Sequence, residues 1–180
     1  MFGYGIVPAR IFINRSLRKD YMKFSAQEEY GIRCLIRIGK FYDRGESPTI
    51  PQISESEEIS QHNVAKLLRV LRIGGILESA RGHSGGYTLA KVPEDIKIID
   101  VLDILGGRLF DDEFCQNHSG AAIICTHTVD CSVRSLWKVI QNAVDAVVKH
   151  LTLRDLLGQE TDLFSKLNEL FNESEKANVG

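Results

Sequence analysis

Four cysteines in 180 residues are too few for the disulfide lattice of a small secreted domain. No stretch approaches the ~20 consecutive apolar residues of a membrane span, so no membrane role is expected. Residues 1–21 lack the continuous apolar core of a secretory signal. The expected setting is therefore cytoplasmic and reducing, where clustered cysteines point to metal or redox roles. Charge of either sign is not in excess: 22 basic residues stand against 24 acidic ones, a net of −2. The molecule as a whole does not advertise a polyanion partner, so any nucleic-acid surface must be a local patch. Also missing are a nucleophile–base pair at an interpretable spacing, a phosphate-binding glycine loop ahead of a helix, and an acidic metal cluster, so the chain is not expected to be an enzyme.

What is present is strong helical patterning from Met22 onward. Residues 1–21 carry Arg10, Arg15, Arg18 and Lys19 against the single acid Asp20 and show no clean periodicity. They are read as an extension, expected to be disordered; an upstream start codon and a basic arm on DNA are both open for it. Ser25 and Glu28 have the spacing of a capping box. Tyr30, Cys34, Leu35, Ile38 and Phe41 follow at helical intervals, which predicts a helix over 26–43 with Cys34 as a small buried hydrophobe. Thr49 caps a second, short helix with Pro51 in its first turn and Ile53 inward. Ser60 caps a third, whose apolar stripe is Val64, Leu67, Leu68 and Leu71 and which Gly74-Gly75 ends. Two helices joined by a tight link make a helix-turn-helix. A strand from Ile76-Leu77, a glycine-rich turn in "RGHSGGYTLA" (81–90) and a return strand at 87–89 add a wing.

The expected fold is mostly α with a small β-hairpin: a winged helix-turn-helix over 22–107, closing with the amphipathic helix "IKIIDVLDILGG". A cysteine-bearing loop, 108–131, follows. A long helix is expected over 132–158, with Val133, Leu136, Ile140, Val144, Val147, Val148 and Leu151 repeating every three or four residues. That is more apolar surface than one helix can use, and its natural partner is its own copy in a homodimer. Residues 159–180 are read as a loosely held polar tail.

The second helix of a helix-turn-helix puts its first residues at base edges in the major groove. Here those are Ser60, Gln61, His62 and Asn63, with Lys66 and Arg69 one turn on. Gln and Asn side chains can pair bidentately with adenine. Between residues 60 and 93, Lys66, Arg69, Arg72, Arg81 and Lys91 face one acid among them, Glu78, and this is the local basic patch that phosphate binding needs. At the wing tip, Arg81, His83 and Ser84 are candidates for a neighbouring groove. Taken singly, each polar residue is as well explained by a surface cap; the ordered set is what points to double-stranded DNA.

The stretch "FCQNHSGAAIICTHTVDCSVRSLW" holds Cys115, Cys125 and Cys131 with His118 and His127. Structural zinc sites show cysteine pairs two to four residues apart. No such pair exists here, and only Cys115 to His118 has a zinc-like interval. Iron–sulfur clusters accept wider spacing. Cluster, zinc and thiol–disulfide sensing all remain open on spacing alone.

The segments "MKFSAQEEYGIRCLIRI", "ISQHNVAKLLRVLRIGGIL" and "RGHSGGYTLAKVPEDIKIIDVLDILGG" resemble the Rrf family of winged-helix transcriptional regulators over about residues 22–158, the "RGxxGGYxLA" wing being the most specific signature. The resemblance implies a homodimeric regulator bound to an inverted-repeat operator. Cluster-binding members, of the IscR-like and NsrR-like kinds, carry three cysteines in this loop with five residues between successive ones. Cys125 and Cys131 keep that interval, whereas nine residues separate Cys115 from Cys125, an insertion within 116–124. The resemblance thus implies an iron–sulfur cluster, two-iron or four-iron, on Cys115, Cys125 and Cys131. The IscR-like fourth ligand, a histidine, is replaced here by Arg134. The NsrR-like one, a carboxylate from the other subunit, matches Glu29, with His118 and His127 as alternatives. The competing expectation is a cluster-free member acting by thiol chemistry or through a protein partner.

Overall fold

The structure is a computed structural model that describes residues 25–80, 85–106 and 131–177. It contains α1 (Ala26–Tyr42), α2 (Ile50–Glu57), α3 (Gln61–Ile73), β1 (Leu77–Ser79), β2 (Tyr87–Leu89), a 3-10 turn at Pro93–Asp95, α4 (Ile98–Leu105), α5 (Ser132–Val148), α6 (Leu153–Leu157) and α7 (Glu160–Ala177). Among the described residues, a mostly helical fold with one two-stranded hairpin is the winged helix-turn-helix expected. Among the described residues, no helix is long and apolar enough to cross a membrane.

The capping box at α1 forms as its spacing demands: Ser25 Oγ accepts from the Glu28 N–H at 3.3 Å, and the Glu28 carboxylate accepts from the Ser25 N–H at 2.6 Å. Cys34, Leu35 and Ile38 are fully buried on the inner face of α1, against Ile53 of α2, Leu68 and Leu71 of α3, Val101 and Leu105 of α4, and Leu153 of α6. The tight turn of the helix-turn-helix is built at Glu58, whose left-handed backbone (φ 55°) reverses the chain between α2 and α3. Two arginines of α1 hold the end of α2. Arg33 Nε and Arg37 Nε lie 3.2 and 2.7 Å from the two carboxylate oxygens of Glu57, and Arg33 also donates to the Glu57 carbonyl at 2.6 Å. The carboxylate of Glu57 is largely sheltered, at 12% exposure, which makes this pair of contacts a fixed strut rather than a fleeting surface pair.

The hairpin pairs Leu77 with Leu89, Glu78 with Thr88 and Ser79 with Tyr87. The end of the hairpin next to its turn is pinned to the loop between α1 and α2, where the Tyr87 N–H donates to the Pro48 carbonyl at 2.9 Å. Gly86 touches that same loop. A side-chain carbon there would collide with the backbone oxygens of Ser47 and Pro48. This glycine of the wing motif therefore serves a close backbone approach inside the protein.

Two elements differ from the sequence expectation. The single helix expected over 132–158 ends at Val148, and a separate short helix begins at Leu153. Thr152 is extended between them. It pairs with Lys97, and bonds from Ile98 N–H to Leu151 O (2.9 Å) and from Leu153 N–H to Ile96 O (2.8 Å) tie the segment to the start of α4. The apolar repeat runs through this break because Leu151 and Leu153 are buried on either side of it. A second capping pair restarts the helix, with the Asp155 carboxylate accepting from Thr152 N–H at 2.8 Å. The loosely held tail is likewise a helix over Glu160–Ala177. Leu163, Leu167 and Leu170 recur at helical spacing and are half-buried, and Lys166 bonds Asp155 at 2.7 Å. The overall polarity of this segment masked that stripe.

Arg154 closes the return of the chain onto the winged domain, bonding both oxygens of Asp43 (2.8 and 3.1 Å) and reaching Glu94 (2.7 Å). These hydrogen bonds hold both carboxyls below their ordinary pKa. A depressed folded-state pKa stabilises above the unfolded value and is lost as pH falls through the folded one. Amide protection across 151–157 should therefore drop below the ordinary carboxylate range while α1 stays protected. Arg154→Gln should show the same selective loss at neutral pH; uniform protection in both cases would contradict the clasp. Leu153→Ala, at a fully buried site, should cost about 3 kcal/mol in denaturant unfolding.

Candidate nucleic-acid interface and cysteine loop

Helix α3 is anchored by one face and bare on the other. Val64, Leu67, Leu68 and Leu71 are buried, whereas Ser60, Gln61, His62, Asn63, Lys66, Arg69 and Arg72 are exposed. Ser60 caps the helix, its hydroxyl accepting from the Asn63 N–H at 3.3 Å, and the helix carries no acid in its first turn or beyond. The cap leaves the Ser60 hydroxyl proton able to donate outward. The structure thus brings Ser60, Gln61, His62, Asn63, Lys66 and Arg69 onto one surface. Arg81, His83 and Ser84 of the wing tip lie outside the described residues.

Of the cysteine loop, Cys131 alone is described; Cys115, Cys125, His118 and His127 lie outside the described residues. Cys131 is the N-cap of α5, half-buried, with its sulfur accepting from the Arg134 N–H at 3.3 Å. Such a sulfur suits a metal-bound thiolate: it is reachable, and a backbone donor points at it. Glu29 stands exposed in the first turn of α1, and among the described residues its carboxylate has no partner, so it too is available as a donor. No group of three His, Cys, Asp or Glu side chains that could hold a metal ion occurs among the described residues. The soft sulfur and hard carboxylate fit the expected donor set as far as it is described. Cys34 does not join it: burial, followed by the field of Glu57, pushes its thiol up to about 12.

The loop leaves from a defined place. Leu105, the last residue of α4, accepts a hydrogen bond on its carbonyl from the Gln27 amide of α1. Gly106 lies against the buried Glu28, whose carboxyl carbon would be 2.9 Å from any side-chain carbon added there. The exit of the cysteine loop is therefore docked on the same turn of α1 that carries Glu29. At the other end, α5 packs on α4. The sequence reasoning missed Gln27 and Tyr30; their side chains reach other elements, and only the fold brings those elements near.

A winged helix-turn-helix with a capped, acid-free and uncovered second helix is a DNA-binding module. The family model for Rrf2, iron-dependent transcriptional regulator, matches residues 24–159, and the chain belongs to that family. It is 32% identical over 136 residues to the HTH-type transcriptional regulator CymR of Bacillus subtilis, covering 75% of this chain and 89% of the relative. It is 30% identical over 148 residues to the HTH-type transcriptional regulator NsrR of the same organism, covering 81% of this chain and 97% of that one. Among solved structures it resembles T. potens IscR, with 29% identity and a TM-score of 0.59 over 75% of this chain and 85% of the other. It also resembles CymR described as the global cysteine regulator of B. subtilis, with 27% identity and a TM-score of 0.56 over 75% and 95%. The chain is a transcriptional regulator and not an enzyme.

The buried, neutral thiol of Cys34 sets an expectation that separates it from the loop. A thiol reagent at pH 8 should label the native protein elsewhere and reach Cys34 on unfolding alone; mass mapping that finds Cys34 labelled first would contradict its burial.

Proposed function

We propose that this regulator binds its operator as a homodimer in the cytoplasm and that its affinity is set by an iron–sulfur cluster on Cys115, Cys125 and Cys131, with Glu29 of the second copy as fourth ligand. The observation that supports a thiolate ligand is the half-buried Cys131 sulfur at the start of α5, with the Arg134 N–H donating to it, and the coupling to α1 draws on the docking of the loop exit, where Gln27 holds Leu105 and Glu28 abuts Gly106. When bound, such a cluster supplies a centre whose iron responds to redox change, oxygen, nitric oxide or iron supply.

The protein's own residues do the rest. A change in the loop pulls on Leu105 and Gly106, and so on the first turn of α1. That helix is packed along α3, so the strain reaches the exposed face from Ser60 to Arg69. Such a change alters operator affinity only by as much as the loop's occupant prefers one arrangement over the other. Dimerisation is supported by Val133, Leu136 and Val139 on α5, which remain 56, 52 and 65% exposed and recur every three residues. In the dimer, two copies of α3 would read two half-sites of an inverted repeat, with Ser60, Gln61 and His62 at base edges, Lys66 and Arg69 on phosphates, and Arg81, His83 and Ser84 in the adjoining groove. A second reading, control by thiol chemistry or a protein partner without a cluster, draws on the relative described as a global cysteine regulator and on the half-exposed Cys131.

Anaerobic purification decides between them. The cluster reading expects a coloured protein with iron and acid-labile sulfide in equal amounts, and loss of both in Cys131→Ala. A colourless, iron-free protein that still changes its operator binding on thiol oxidation would establish the second reading instead. In either case Gln61→Ala should relax base preference at one operator position, at a cost of about 1–3 kcal/mol.

A further inference from the structure

Between the first two turns of α1 and the flank of α3 lies an open cleft of about 170 Å³, lined by Ala26, Gln27, Tyr30, Asn63, Lys66 and Leu67. Its chemistry is one-sided. Leu67 and Ala26 give it an apolar lining, and among the described residues no acid lines it. The Lys66 ammonium, the Asn63 amide and the Tyr30 hydroxyl are donors around it. Gln27, bonded to the Leu105 carbonyl, is held as one wall. The guanidinium of Arg33, itself paired with Glu57, lies 5.7 Å from the centre of the Tyr30 ring and packs beside it. A small site with a cation, an amide and a hydroxyl around an apolar lining suits an anion with oxygens on several sides. Asn63 and Lys66 belong to the exposed face of α3, so such an anion sits at the border of whatever groove that face enters.

We propose that this cleft seats one phosphodiester of the operator backbone, with Tyr30 of α1 as a phosphate ligand outside the helix-turn-helix. The proposal rests on the reading that α3 enters the major groove. It turns Asn63 and Lys66 toward the backbone and leaves Ser60, Gln61 and His62 for bases. The seat also shares its Gln27 wall with the exit of the cysteine loop, so the spacing between α1 and α3 that grips the phosphate is set where the loop is docked.

The test uses the full chain and operators obtained by binding-site selection. Tyr30→Phe removes a hydroxyl and little else, and should weaken binding about 3- to 10-fold on every operator alike. Lys66→Gln should lower the slope of log affinity against log salt by about one. A methylphosphonate placed at successive backbone positions should weaken the wild type at one flanking phosphate per half-site and add nothing further to Tyr30→Phe there. Wild-type affinity in Tyr30→Phe, or penalties that add at every position, would overturn the assignment. Inorganic phosphate at constant ionic strength should leave operator affinity unchanged; saturable competition would assign the cleft to a free anion and overturn the backbone seat. Gln61→Ala tests the groove reading apart from the seat: an unchanged base preference there sinks the groove reading, whatever Tyr30 does.

Discussion

The burial of one face of α1 is the constraint on which the remainder of this molecule depends. Cys34, Leu35 and Ile38 are wholly removed from solvent, and α2, α3, β2, α4 and α6 all pack on this helix. Leu35 and Ile38 each contribute roughly 1.5–3 kcal/mol by leaving water. The larger consequence is geometric. Because a close-packed interior transmits displacement rather than absorbing it, no neighbour of α1 can shift without moving the rest. The helix that presents residues to DNA and the helix that launches the cysteine loop lean on the same rod.

The polar contacts of α1 give that rod its directions. On one side Arg33 and Arg37 grip Glu57 and so fix the end of α2 and the tight turn that aims α3. At its start Gln27 and Glu28 hold Leu105 and Gly106. At its far end Asp43 receives Arg154 from the segment that returns after α5. Three different parts of the chain are thereby referred to one element. In a regulator of this family, that arrangement suits the coupling of a loop between α4 and α5 to a reading surface on α3.

Much of this was legible beforehand, for identifiable reasons. Ser25 with Glu28 and Ser60 with its following apolar stripe are local signals, and the helices start where those signals stand. The wing strand at Tyr87–Leu89 is marked by the glycine-rich turn ahead of it. What escaped was long-range. Nothing near Leu151 in the chain announces its pairing with the start of α4, so the apolar repeat by itself predicts an unbroken helix across 149–152. The helix over Glu160–Ala177 was hidden by its polar majority, since three half-buried leucines suffice to seat it. Among the site residues, the face from Ser60 to Arg69 followed from helical spacing alone. Gln27 did not, because the carbonyl it holds belongs to Leu105, far from it in the chain. Gly86 of the wing motif is likewise required by the carbonyls of Ser47 and Pro48, far from it in the chain.

The central claim is that the state of the cysteine loop is felt at α3 through the first turn of α1. Operator affinity, measured at one fixed salt concentration on a single anaerobic preparation before and after its iron is withdrawn by a chelator, tests it most directly. The account predicts a change of about 5-fold or more, the lower end of ordinary coupling between sites. Equal affinities for the two forms, with iron shown to be present in one and absent from the other, would contradict it.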